Sequence, residues 1–390
     1  MLFSIALIII CGYTLGRIFE ILKLPALVGM LICGIILGPA VFNIISPNLL
    51  HIAPDLREIA LIIILARAGL SIDLNDLKAI GRPALLMCFV PAICEIAAVT
   101  LIAPIVFNIS YIEAAIMGCI LAPVSAAVVV PRMLKLMKNH YGEDKKIAHL
   151  IMAGTSVDDV FVIVLYVSLI ELYFDGSFNA YNFIKIPLSI ILGILLGIVI
   201  GIILSNIFQH IKIKGSLKVI LFLAVSFMLV TFENTFPQIP VSALLAIMVM
   251  GGTILKKNPK EADTMSQGLT HLWDGAQIML FALVGCAVQI EYINKAGIFT
   301  FVILIAGSLL RFGGVFLCLI KTKLNFKERL FCGIAYIPKA TVQAAMGVLP
   351  LSMGMPSGET TLAVTVLAIL ILAPIGALLI DVFYKRLLNK

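Results

Sequence analysis

Charge is what this chain has least of. Asp, Glu, Lys and Arg make up 13% of its 390 residues and hydrophobic residues 62%, where soluble domains run near ~25% charged. That scarcity excludes an ordinary soluble domain. No Cys-x-x-Cys pair occurs: Cys11, Cys33, Cys88, Cys94, Cys119, Cys286, Cys318 and Cys332 are scattered through apolar stretches. The spacing excludes a zinc or iron–sulfur motif and leaves small apolar packing residues. The five His show no ligand spacing either, so no cofactor is expected. The alternating ten-residue pattern of an outer-membrane barrel is missing. The opening Met-Leu-Phe-Ser-Ile-Ala carries no positive charge, which argues against a cleaved signal peptide.

What the chain has is a series of apolar stretches about as long as a spanning helix needs. Thirteen spans are read, near 2–22, 26–45, 57–75, 83–107, 112–131, 147–173 and 186–209, then 217–234, 239–255, 270–290, 296–320, 328–350 and 360–383. The class is an all-α polytopic membrane protein, a single membrane-embedded unit over 1–390 with no room for a soluble nucleotide-binding domain. The net charge of +7 is not a nucleic-acid signal, because its distribution follows the membrane. Of 28 Lys and Arg, 22 fall in the odd connections and the C-terminus, and 3 (Arg57, Lys185, Lys295) in the even ones. The rest, Arg67, Arg311 and Lys339, lie inside spans. The positive-inside rule then puts the N-terminus outside and the C-terminus in the cytoplasm, with membrane lipid as the surrounding partner.

Sliding the chain against itself gives similarity at an offset of 215–216 residues. Leu24-Pro25 falls on Ile239-Pro240, Gly69 on Gly285, Pro123 on Pro338 and Glu95 on Arg311. The repeat pairs 1–173 with 217–383 and leaves 186–209 as a connector. Equivalent positions are seven spans apart, an odd number, so the two six-helix halves lie inverted. Inverted repeats are characteristic of secondary transporters, whose sites sit at the midplane between broken helices. Two spans carry the breaks. One holds Pro123 and Pro131, and its mate holds Pro338 followed by Lys339, Thr341 and Gln343. Proline removes a helix hydrogen bond, and unwound backbone at membrane depth is tolerated only where it is buried or lines a cavity.

Asp158 and Asp159 stand side by side in the middle of a span. Each carboxylate costs about 2.5–3.5 kcal/mol at a bilayer centre, and neighbouring ones repel. Binding a cation or a proton is the simplest use for such a pair. Crossed beside it, the two breaks would form a cation site of carbonyl and carboxylate oxygens. Ser125, Thr155 and Ser156 either add neutral oxygens or bond a carbonyl one turn back. Lys339 reads as structural, offsetting the carbonyl ends in its own span. Arg311 needs a carboxylate: Glu95 is the expected partner and Asp158 the competing one. Arg67 closes its span with Asp73 six residues on, an interfacial or packing position, and His149 sits near a basic cytoplasmic end. An intramembrane aspartyl protease also uses two aspartates, but from different helices. Adjacent positions diverge by about 100°, so no enzyme is expected.

With Gly154-Thr155-Ser156-Val157-Asp158-Asp159, Ala66-Arg67-Ala68-Gly69-Leu70-Ser71-Ile72-Asp73 and Ile337-Pro338-Lys339-Ala340-Thr341-Val342-Gln343 in hand, the chain resembles the cation/proton antiporter superfamily of sodium/proton exchangers over its whole length. The resemblance implies the antiporter fold with crossed discontinuous helices, and a homodimer in the cell membrane. It also implies an elevator-like core from about 57–173 and 270–383, the other helices forming a dimerisation scaffold. By it, Asp159 is the principal Na⁺ (or Li⁺) and proton carboxylate and Asp158 its partner, and the interruptions at Pro123 and Pro338 complete the site. Electrogenic members carry a lysine where this chain has Arg311, and arginine stays charged. One proton per cation is therefore expected. A potassium/proton exchanger and a sodium-coupled organic-anion symporter are the alternatives.

Overall fold

Lipid satisfies no backbone N–H or C=O group, so apolar segments at membrane depth fold as helices. The computed structural model describes residues 1–71, 81–175, 180–211, 214–236, 238–288 and 290–389, and the described residues hold helices and no strand. The first half runs through α1 (Leu2–Ile21), α2 (Ala26–Leu37), α3 (Pro47–His51), α4 (Ala53–Gly69), α5 (Arg82–Met87), α6 (Val90–Phe107), α7 (Tyr111–Leu121), α8 (Ala126–Lys138) and α9 (Ile147–Asp175). α10 (Ala180–His210) covers the expected connector. Then follow α11 (Gly215–Thr235), α12 (Ala243–Lys257), α13 (Pro259–Cys286), α14 (Ile290–Cys318), α15 (Phe326–Ala335), α16 (Thr341–Met346), α17 (Leu349–Ser352) and α18 (Gly358–Leu387).

Seven described helices are long and apolar enough to cross a membrane, and Ala26–Leu37, Tyr111–Leu121 and Thr341–Ser352 are shorter apolar pieces. Two boundaries depart from the hydropathy reading. α2 stops at Leu37 rather than near 45, because Gly38 is extended before Pro39, and a residue preceding proline is pushed out of the helical region. α13 begins at Pro259 rather than near 270, since hydropathy is blind to a helix that continues through polar residues. Asp73 lies outside the described residues.

The chain separates into two compact units: residues 1–57, 76–166 and 278–390 in one, 58–75 and 167–277 in the other. Each contains a close helix contact built on two glycines. In the first, a Cβ on Gly34 of α2 would strike the Ala282 carbonyl of α13, and one on Gly285 would strike the Leu31 carbonyl. In the second, a Cβ on Gly69 of α4 would strike the Met248 carbonyl of α12, and one on Gly251 the Gly69–Leu70 backbone. Small residues let helix backbones approach this closely in membranes. Gly69 and Gly285 are mates at the 216-residue offset.

The first unit carries a second reciprocal pattern. α7 opens with a capping box of Ser110 and Glu113, and α15 with one of Asn325 and Glu328, 215 residues on. Each box satisfies helix N–H groups that would otherwise be orphaned. Each glutamate also holds the start of the other half's last helix. Glu113 accepts from the Ser357 N–H at 3.1 Å, just before α18, and Glu328 takes Lys145 Nζ at 2.8 and 2.9 Å, just before α9. Contacts exchanged in this way are what an internal two-fold between the halves requires.

Gly285→Ala and Gly69→Ala therefore force backbone apart and should destabilise by about 1–3 kcal/mol. Gly275→Ala meets nothing within 4 Å and should be neutral or gain up to about 1 kcal/mol of helix propensity. Thermal unfolding of the detergent-purified variants checks this; an unchanged midpoint for both close-contact variants would contradict it.

Candidate functional site

Both proline-bearing helices are interrupted, not kinked. α7 ends at Leu121, residues 122–125 are non-helical, and α8 starts at Ala126; α15 ends at Ala335, residues 336–340 are non-helical, and α16 starts at Thr341. The breaks touch. Ser125 N–H, freed from its own helix, donates to the Pro338 carbonyl at 2.9 Å.

The exposed carbonyl end of α7 is taken up by side chains. Ala122 O accepts from Lys339 Nζ at 2.9 Å and from Arg311 Nη1. Gln343 Nε2 reaches Pro123 O at 2.7 Å and Leu121 O at 3.3 Å, while Gln343 Oε1 accepts from Ala340 N–H at 2.7 Å. Two positive side chains at a helix C-terminus complement its dipole. Lys339 thus offsets the carbonyl end of the other broken helix, not that of its own span.

Four buried charges meet there. Glu95 Oε2, on α6, accepts from Arg311 Nη1 on α14 at 2.7 Å and from Lys339 Nζ at 2.6 Å. Arg311 Nη2 binds Asp158 Oδ2 on α9 at 2.5 Å. Arg311 therefore pairs with both candidate partners rather than one. Its guanidinium lies 5.3 Å from the centre of the Tyr336 ring, a cation–π contact, and Tyr336 donates to Met87 O at 3.3 Å. A Cβ on Gly154, one turn before Asp158, would collide with the Tyr336 hydroxyl. The surroundings are apolar: Met87, Val124, Val129, Ile151, Phe331 and Tyr336 belong to one buried cluster. Two cations and two carboxylates cancel, as burial demands.

Asp159 stands outside this balance. Asp158 is fully buried, whereas Asp159 is half-buried and makes no ion pair among the described residues. The Oδ1 atoms of both aspartates and Ser125 Oγ are buried with no hydrogen-bond partner. Ser125 sits at an N-cap without using its hydroxyl for capping, although serine there normally does. All three are hard oxygens, the ligand type that a small hard cation takes.

The other expected residues fall as follows. Thr155 Oγ1 donates to its own helix at Met152 O, 3.2 Å. Thr341 is buried at the start of α16 without a hydrogen bond to the four charges. The Ser156 side chain lies outside the described residues. Arg67, in the other unit, and His149 are half-buried. Sequence reasoning named Gln343 without giving it a role and passed over Tyr336 and the Ala122 carbonyl. The polar run after Pro338 was the one signal available for Gln343.

Residues 5–385 match the family described as "Sodium/hydrogen exchanger, transmembrane". The chain is 30% identical over 410 residues to mouse (Mus musculus) sodium/hydrogen exchanger 9B2, covering all of this chain and 74% of that protein. To mouse sodium/hydrogen exchanger 9B1 it is 32% identical over 414 residues, covering all of this chain and 72% of the relative. The fold matches the solved structure of the sodium proton antiporter MjNhaP1 from Methanocaldococcus jannaschii, with TM-score 0.84, 20% identity, and 99% and 98% of the two chains covered. The match over nearly the whole length, with relatives at this identity, carries the assignment: the chain belongs to the sodium/hydrogen exchanger family, whose members are membrane transporters and not enzymes.

Proposed function

We propose that this protein exchanges Na⁺ or Li⁺ for H⁺ across the cell membrane, with Asp159 as the carboxylate that alternates between the two. The observation that carries this is the division of labour in the aspartate pair. Asp158 is engaged with Arg311 inside a neutral network, while Asp159 is left out of it. A bare carboxylate with a buried, unpartnered oxygen at membrane depth is costly, so it is held neutral either by a proton or by a cation. Both loaded forms can cross with the part of the chain that holds the crossed breaks, in an elevator-like movement; the bare anion cannot. Asp158, Ser125 and Thr155 assist at the ion. Pro123, Pro338, Lys339, Thr341 and the Glu95–Arg311 pair shape the crossing, and Ser156 is a further candidate. The four buried charges cancel without Asp159, so one proton moves per cation. The family and the loop charges support a homodimer with its N-terminus outside and C-terminus in the cytoplasm.

In proteoliposomes carrying a pH gradient, Na⁺ or Li⁺ should collapse the gradient with wild type and fail to do so with Asp159→Asn, whose purified form should unfold no earlier than wild type. Asp158→Asn should also lose stability, because it leaves Arg311 short of a partner; breaking a buried pair costs about 3–5 kcal/mol. Appreciable exchange by Asp159→Asn would sink the assignment. A response to K⁺ alone would favour a potassium exchanger. No response to any cation would favour the organic-anion symporter.

Competition also sets a sign with pH. Acidification adds the competing proton, so the Na⁺ concentration for half-maximal exchange should rise as pH falls. By linkage the rise approaches about tenfold per pH unit where the proton dominates. A half-maximal concentration independent of pH would mean that cation and proton use separate sites.

A further inference from the structure

A break in a membrane helix exposes carbonyl oxygens, and the obvious use for carbonyls beside a carboxylate pair is to coordinate the ion. Here three consecutive ones are already taken. Leu121 O and Pro123 O bind the Gln343 amide, and Ala122 O binds Lys339 and Arg311. Across the crossing, Pro338 O is held by Ser125 N–H. Beside them, the side-chain oxygens Asp158 Oδ1, Asp159 Oδ1 and Ser125 Oγ are buried without a partner.

Of the side chains that cover the α7 carbonyls, Gln343 carries no charge, whereas Lys339 and Arg311 are ion-paired. It is fully buried. Its two amide N–H groups go to the carbonyl end of α7, and its oxygen goes to the first N–H ahead of α16. That pattern leaves no ambiguity about which end of the amide is nitrogen, since both partners of Nε2 are acceptors and the partner of Oε1 is a donor. One side chain thus joins the two broken helices.

We infer that Gln343 is a positioning residue that determines cation selectivity, by withholding the Leu121 and Pro123 carbonyls from the ion. The inference rests on the exchange function proposed above. Selectivity among hard cations follows the number, flexibility and field strength of the ligands. With the Leu121 and Pro123 carbonyls held back, a site that relies on carboxylate and hydroxyl oxygens repays the large dehydration cost of a small ion and repays less for a larger one. Releasing two neutral carbonyls, at the end of α7 and in the break, adds weaker-field, adjustable oxygen ligands that can expand around K⁺ or Rb⁺. Gln343 touches no reacting atom in this scheme. It acts through the backbone it holds.

The test is the ratio of half-maximal K⁺ to half-maximal Na⁺ concentration in the proteoliposome assay, measured also with Li⁺ and Rb⁺. Wild type is compared with Gln343→Met, which keeps the side-chain length and removes all three hydrogen bonds. The ratio should fall about tenfold, a change of about 1.4 kcal/mol, through tighter K⁺ and Rb⁺ rather than through a lower maximal rate alone. Should the Met variant fail to fold, Gln343→Glu serves: as a neutral acid it can donate to one carbonyl only, and its ratio should fall between wild type and the prediction for Met. An unchanged ratio in a folded, active variant, even one of lower maximal rate or stability, overturns the selectivity role. Absence of cation-driven proton movement in wild type overturns the exchange reading instead, so the two failures are distinct.

Discussion

Glu95 accepting both Arg311 and Lys339 on one carboxylate oxygen is the contact on which the core of this protein depends. Either cation without a carboxylate would be prohibitively costly at membrane depth, and without the two of them the Ala122 carbonyl at the end of α7 would lose its complement. Held together by Glu95 and Asp158, the two positive groups close that end and hold α6, α9, α14 and the α15–α16 break to one another. Removing one charge from such a network leaves its partner buried and uncompensated. The arrangement therefore tolerates little adjustment.

That rigidity explains why two neighbouring aspartates differ. One turn of helix carries both, but successive side chains diverge by about 100°. Asp158 points to Arg311 and is fixed by it. Asp159 makes no ion pair among the described residues and keeps partial exposure. A neutral scaffold of permanent charges beside one uncommitted carboxylate is the simplest electrostatic design for swapping a monovalent cation against a proton. The Gln343 amide extends the same logic to the backbone, since it commits carbonyls that an ion would otherwise recruit.

Much of this was legible in the chain because membrane burial makes polar residues conspicuous. The all-helical class followed from hydropathy, the interruptions from Pro123 and Pro338, and the Glu95–Arg311 contact from their shared offset. What escaped depends on which segment crosses which. Nothing in Pro338-Lys339 says that the ammonium reaches over to Ala122 of the other half, and nothing in the spacing says that Gln343 faces Leu121 and Pro123. Hydropathy also carried α2 past the Gly38-Pro39 stop and missed the polar start of α13. The capping boxes at Ser110 and Asn325 were readable in principle. They are short motifs at segment ends, whose significance appears only when each glutamate is seen holding the opposite half.

The most direct test of a single alternating carboxylate is to count the protons released when Na⁺ binds to the purified protein in weakly buffered detergent solution. At a pH where the empty site is protonated, wild type should release about one proton per bound Na⁺, as one exchanging group requires, and Asp159→Asn should release none. Two protons per ion, or release that persists in Asp159→Asn, would mean that a member of the buried network titrates as well, and the division between Asp158 and Asp159 would be wrong.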